Sequence, residues 1–450
     1  MCRDMTKARR DGQYLVLLGT AIFLLIGMAL ENAAPVSTVD FRVVYYSARC
    51  LLEHRDPYNE RDLDSIYRTE GGESAQDSAQ IKRSERRYNY LPTAFPVTLP
   101  FAVFPFGPAH VLWLAFTAGS IILASYLMWD IASKDAPILA GALTALSLAN
   151  SELFLILGNP AGIAVGFCVI AVWCFLRNRF VYLGIFCLAI SLMLKPHDGG
   201  LVWLYFLLSG GLQRKRAWQT LGLIALLSLP VLLWVSYVAP QWLQEFRSIL
   251  SAYSSHGDVN DPGPASMASH GIGMVISLQA VFSVFRDDPR VYNPVTYILV
   301  GGLLIFWVVK VLRSRFTATT ACFALAPIAA LTMLPVYHRI YDARLLLLLI
   351  PACAILWKKG GGVGWCAVLI ATAGIALTGG MPWAFLLALI KNGHFPATLS
   401  SPMFLVAIQV FPVPLMLLTV GVFFLWTFAR HGKNGEAPDV EEQIKLPAAS

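Results

Sequence analysis

Apolar residues along the chain fall into long runs separated by short polar breaks. The runs cover roughly 14–30, 109–129, 136–156, 161–176, 181–194, 199–209, 218–238, 294–312, 317–334, 343–357, 363–378 and 403–428. A helix rises about 1.5 Å per residue, so about 20 apolar residues cross a hydrocarbon core of about 30 Å. Several runs fall short of that and must extend into their flanks or belong to broken helices. Shorter apolar pieces at 94–105, 272–285 and 382–391 read as re-entrant or interfacial. The pattern predicts an all-α integral membrane protein, a polytopic bundle of about twelve transmembrane helices over residues 1–431. A polar tail, 432–450, reads as disordered. The first run follows Lys7, Arg9 and Arg10 and exceeds the usual core of a cleaved signal peptide, so it reads as a retained first helix. No internal repeat is found.

Composition supports this class. Of the 450 residues, 57% are hydrophobic and 14% charged, with a mean hydropathy of +0.61, against about 25% charged in soluble domains. A net charge of +7 would suit nucleic acid, but the Lys and Arg sit in short clusters between apolar runs, as in loops facing anionic headgroups. No nucleic-acid partner is expected. Eight cysteines, mostly within apolar runs and without a CxxC pair, read as small core residues. With the N-terminus inside, 18 of the 34 Lys and Arg fall on the cytoplasmic side; nine of the remaining 16 lie in one long loop, 31–92. Long loops escape the positive-inside rule, so this orientation is preferred, with both termini inside a plasma (inner) membrane.

The same placement puts the unusual polar residues on the non-cytoplasmic side. In the first outer loop, Phe41, Val44, Tyr45, Ala48, Leu51 and Leu52 recur at helical spacing and predict an amphipathic interfacial helix. Asp40 sits in its first turn, where it either completes a capping box with Ser37 or acts as a general base near headgroup level. Tyr88 and Tyr90 precede Pro92, Pro96, Pro100, Pro105 and Pro108, a kinked stretch in which the tyrosines either anchor at the interface or line a sugar site. Lys195-Pro196-His197-Asp198 joins two runs without an ordinary loop. Lys195 either snorkels or offers a cation to phosphate, with His197 and Asp198 suited to sugar hydroxyls. His338-Arg339-Ile340-Tyr341-Asp342-Ala343-Arg344 is equally tight; Arg339 either pairs with Asp342 or reads a phosphate, with His338 as a further donor. Asn159-Pro160 is a weak turn signal. His256, Asp258 and His270 in the loop 251–273 lack a compact metal motif.

Asp40-Phe-Arg42-Val-Val-Tyr45-Tyr46, Leu51-Leu52 with Asp56-Pro57-Tyr58, Tyr90-Leu-Pro92, Leu157-Gly-Asn159, Leu194-Lys195-Pro196 and His338 with Tyr341-Asp342 occur in that order. Together they resemble the polyprenol-phosphate-mannose-dependent α-1,2-mannosyltransferases of the membrane-embedded GT-C class, glycosyltransferase family 87-like. The resemblance spans most of residues 14–357. It implies inverting transfer of mannose from a polyprenyl-phosphate donor to a lipid or glycan acceptor outside the cytoplasm. It also implies Asp40 as catalytic base and His338 near the donor phosphate, beside Lys195 and Arg339. Arg42, Tyr45, Tyr90, Asn159, His197, Asp198, Tyr341 and Asp342 are the candidates for sugar and acceptor. Departures are the single Pro92 after Leu91, the absence of Gln before Asn159, and His197 where Gln is expected. No cofactor or metal is expected; membrane lipid is the remaining partner. The alternative function is a transporter or flippase of lipid-linked saccharides, which would need polar residues along a path through the bilayer.

Overall fold

A computed structural model describes residues 2–34, 38–71, 87–266, 275–383, 385 and 410–431. Ser37, His270, the tail 432–450 and most of the polar stretch 70–87 lie outside these. The described chain is helical, apart from one isolated antiparallel bridge between Val275 and Arg339. Among the described residues seven helices are long and apolar enough to cross a membrane: Met5–Ala33, Phe106–Ala132, Pro137–Leu157, Gly211–Val238, Pro289–Arg313, Ile340–Lys359 and Pro412–His431. Ala161–Arg177, Val181–Leu194, Ala318–Leu331 and Gly361–Leu377 are apolar but shorter.

Burial separates an inner from an outer group. Helices Ala161–Arg177 and Ala318–Leu331 bury nearly every side chain, as does the segment Ile340–Lys359. By contrast Gly211–Val238 and Pro289–Arg313 expose Leu226, Leu229, Leu233, Ile298 and Ile305. Leaving such side chains in water forfeits about 1.5–3 kcal/mol each, so their outward faces fit lipid. No charge stands exposed in the middle of these outer faces; Arg214, Lys215 and Arg216 gather near one end of the first, Lys310 and Arg313 at one end of the second.

The first helix is held by glycine. Gly12, Gly19 and Gly27 recur about every two turns and face Pro137, Ala145 and Leu155. A Cβ on Gly12 would lie 2.3 Å from the Pro137 carbonyl oxygen, and one on Gly141 would lie 2.5 Å from that of Gly12. In lipid, close backbone approach through small residues is a main source of helix association. Gly141→Leu is therefore expected to cost about 1–3 kcal/mol, the usual overpacking penalty, read as a lower melting temperature in detergent. An unchanged melting curve would rule out so close a contact.

The predicted amphipathic segment forms helix Val39–Leu52. Its apolar face, including Phe41, Val44, Tyr45 and Leu51, packs on protein, chiefly helix Phe95–Ala102. The proline-rich stretch becomes a 3-10 turn, Pro92–Ala94, running into that helix. Of the other two short apolar pieces, 272–285 contains helix Leu278–Phe285, while most of 382–391 lies outside the described residues.

The two arginines that break the inside bias separate in purpose. Arg344 is buried and donates to the carbonyl oxygens of Ser147 (3.0 Å) and Thr378 (2.6 Å) and to the Thr378 hydroxyl (2.8 Å), tying three helices together. Arg339 instead faces a cavity.

Candidate active site

Four breaks in the helical pattern meet around one cavity of about 570 Å³, within the usual size of a small-molecule site. Each break has a local cause. Gly158 ends helix Leu153–Leu157 at φ +62°, a left-handed conformation that suits glycine. A Cβ there would lie 2.8 Å from that of Phe41, so glycine also lets this turn press against helix Val39–Leu52. The Thr38 N–H donates to the Ile156 carbonyl at 2.7 Å, fixing the start of that helix. Asp40 and Asn159 are thereby brought side by side.

Asn159 orients Asp40. Its Oδ1 accepts the Ala161 N–H at 2.8 Å, which fixes which end of the amide is which. Its Nδ2 then donates to Asp40 Oδ2 at 2.6 Å and to the Tyr341 hydroxyl at 3.0 Å. The helix has Thr38, not Ser37, at its N-cap, with no side-chain cap bond, so Asp40 turns to the cavity instead. Enclosure in protein pushes the Asp40 carboxyl above its ordinary value. The Asn159 hydrogen bond and the charges of Arg339 and Lys195 pull it back only in part.

Pro196 breaks the next helix pair. It lacks an N–H and begins helix Pro196–Leu208, leaving Lys195 extended at φ −142°, ψ 84°. The Lys195 side chain turns inward, its ammonium donating to Asp342 Oδ1 at 2.8 Å and lying 4.9 Å from the Tyr341 ring centroid. Burial alone would lower its pKa, but Asp342, aided by Asp198 and Tyr90, holds it above the ordinary lysine value.

The fourth break, around residues 335–339, pairs with 275–278. The Ile276 N–H donates to His338 O at 3.0 Å and the Leu278 N–H to Leu334 O at 2.9 Å. Asp342 then starts a 3-10 segment, Ile340–Leu349, its Oδ2 accepting the Arg339 N–H at 2.9 Å. The ionic partner of Asp342 is thus Lys195, whereas the Arg339 guanidinium donates through Nε to the Tyr337 hydroxyl.

Of the sequence candidates, Asp40, Tyr90, Asn159, Lys195, His197, Arg339 and Tyr341 line the cavity. Five do not. Tyr45 is buried with its hydroxyl on the Phe104 carbonyl, 2.8 Å away, and Arg42 lies over the Phe106 ring at 4.7 Å. Asp342 stands behind Lys195, while His338 and Asp198 pair behind His197, with 3.2 Å between Nε2 and Oδ1. The cavity also takes in Arg87, Tyr337 and, from helix Trp242–Tyr253, Phe246, Leu250 and Tyr253, none of which was singled out from sequence. The spacing of those last three, one helical face, is the signal that marks them. Arg87 sits 3.8 Å from Glu60 and its carbonyl accepts the Tyr253 hydroxyl at 3.1 Å. His256 approaches Asp261 and Asp287 rather than Asp258.

A half-buried carboxylate, a buried lysine and an arginine open on one largely apolar cavity. The glycosyltransferase family 87 model matches residues 88–335. The chain belongs to glycosyltransferase family 87. It is accordingly a membrane glycosyltransferase, with donor and acceptor substrates. No curated protein and no solved structure matches the chain. The matched region contains Tyr90, Asn159, Lys195, His197 and Asp198 but not Asp40 or Arg339. Those two reach the family region only through the fold, Asp40 by its bond to Asn159 and Arg339 by the 275–278 pairing.

Proposed function

We propose that this family member transfers mannose from a polyprenyl-phosphate donor to a hydroxyl of a lipid or glycan acceptor, with inversion, on the non-cytoplasmic face of the plasma (inner) membrane. The observation that carries this reading is the Asp40 carboxylate opening on the same cavity as Lys195 and Arg339. In the proposed reaction Asp40 takes the acceptor proton as the hydroxyl oxygen attacks the anomeric carbon. The bond from that carbon to the phosphate oxygen breaks, and polyprenyl phosphate leaves with the electron pair. Lys195 and Arg339 offset the charge that develops on it. Tyr90, Asn159, His197 and Tyr341 are assigned to sugar and acceptor hydroxyls, with Tyr337 added. His338, Asp198 and Asp342 support the wall, and Arg42 and Tyr45 position helix Val39–Leu52. That helix is assigned to the interface, and the bundle to twelve crossings, with the four shorter apolar helices and Pro196–Leu208 completing the set.

The test supplies purified chain in nanodiscs with radiolabelled polyprenyl-phosphate mannose and a lipid acceptor extract, beside a nucleotide-sugar control. Label is expected in an α-mannosidase-sensitive product from the polyprenyl donor alone. Transfer from the nucleotide sugar would refute the donor class. Movement of the lipid-linked sugar across the bilayer with no new glycosidic bond would favour transport instead.

A further inference from the structure

Behind the cavity wall stands a group whose polar atoms are not satisfied among the described residues. Asp198 and His338 are both buried, 1% and 0% exposed, and Asp198 Oδ2 and His338 Nε2 lack hydrogen-bond partners. His338 Nδ1 lies 3.1 Å from the Val336 carbonyl oxygen. A carbonyl only accepts, so Nδ1 carries the proton and a neutral ring turns the lone pair of Nε2 outward. Nε2 stands 3.2 Å from Asp198 Oδ1, so a neutral ring sets an acceptor against an acceptor, and only a doubly protonated ring makes the contact an ion pair. A third donor points to the same place: His197 Nε2 is 3.8 Å from Asp198 Oδ1, and its ring stands edge-on to that of His338 with centroids 4.8 Å apart. A second proton on His338 would answer one of these contacts. It would leave Asp198 Oδ2 unpaired and a second imidazole beside the new charge.

We infer that His197, Asp198 and His338 form a divalent metal site of the zinc class. The three ligand atoms lie within 4.8 Å of one another. Tetrahedral zinc with bonds of about 2.0–2.2 Å places its ligands about 3.3 Å apart, so the cluster closes with a small turn of the His197 ring. Two imidazoles and one carboxylate suit zinc better than magnesium or calcium, which prefer oxygen. The Val336 carbonyl on His338 Nδ1 is the outer hydrogen bond that a metal-bound histidine normally makes. His197 and Asp198 ride on the first turn of helix Pro196–Leu208, and His338 on the extended segment paired with 275–278, so the frame is fixed without the ion. His197 also lines the cavity, so the site adjoins it from behind. On the donor reading above, and only on that reading, an ion held here would add positive charge near the leaving phosphate.

The test needs no turnover. Purified full-length chain in nanodiscs is stripped with chelator, equilibrated with zinc alone, desalted, and its metal counted by mass spectrometry. About one zinc per chain is expected, and cobalt in its place should show the visible bands of a four-coordinate site. His197→Ala is the primary variant, since that side chain is 37% exposed and its loss spares the packing. It should weaken zinc binding roughly tenfold or more, as should Asp198→Asn. His256→Ala, at the surface cluster with Asp261 and Asp287, should leave binding unchanged. No retained zinc, equal retention by His197→Ala, or loss in His256→Ala would overturn the site. Zinc binding without sugar transfer would uphold the site while defeating the donor reading, and transfer without zinc would do the reverse.

Discussion

Asp40→Asn is expected to lower the turnover number by about 10²–10⁴-fold, the usual worth of a general base, with donor binding nearly unchanged. The substitution is close to isosteric. Its amide oxygen can still accept from Asn159, so the 2.6 Å contact and the melting temperature should survive. What is lost is the ability to take a proton. The pH profile checks this separately. Enclosure raises the Asp40 pKa, so the carboxyl protonates, and the rate falls, at a pH above the ordinary aspartate value. The charged form is the active one, so activity is present above that limb and lost as pH drops through it. Asn159→Ala removes a bond that favours the charged form, and the limb should move to still higher pH, with an overall loss of about tenfold or more for a charge-assisted bond worth about 1.5–3 kcal/mol. Unchanged transfer by Asp40→Asn would sink the assignment.

Why these residues could be read from the chain at all is a matter of cost. Asn159, Lys195 and Asp342 each interrupt or border an apolar run, where a polar group is expensive without a partner, and Asp40 opens an amphipathic stretch in the first outer loop. Their presence was legible for that reason. Their partners were not. Lys195 and Asp342 are 147 positions apart, and both had nearer candidates, lipid headgroups for one and Arg339 for the other. The choice is made by Pro196, which turns Lys195 inward, and by the N–H of Arg339, which occupies the second oxygen of Asp342.

Polarity alone misled in two other places. Arg87 ends a polar stretch of sequence, yet it lines the cavity because Tyr88 is buried beside it against Tyr58 and Phe95. Helix Trp242–Tyr253 lies outside the long apolar runs, although Phe246, Leu250 and Tyr253 share one face. The hydropathy pattern found the apolar runs but not their lengths as helices. Among the described residues seven reach the length of a crossing, and prolines and glycines such as Pro196 and Gly360 interrupt others.

Lys195→Met is expected to destabilise the chain by about 3–5 kcal/mol, because it strands Asp342 as an unpaired charge at 1% exposure. Methionine fills the lysine stem, so lost packing contributes little. The melting temperature in detergent should fall clearly below that of the parent. Adding Asp342→Asn should restore most of it, since the asparagine oxygen can still accept the Arg339 N–H while the uncompensated charge is gone. Transfer should behave differently. Removing one cation that stabilises a leaving phosphate costs about 10²–10³-fold in turnover, and the double variant cannot recover it. Stability rescued without activity would assign Lys195 a part in the reaction beyond holding Asp342. If Lys195→Met melts like the parent, the pair is not desolvated as described. If the double variant regains both stability and transfer, Lys195 serves the fold alone, and the charge on the leaving phosphate falls to Arg339.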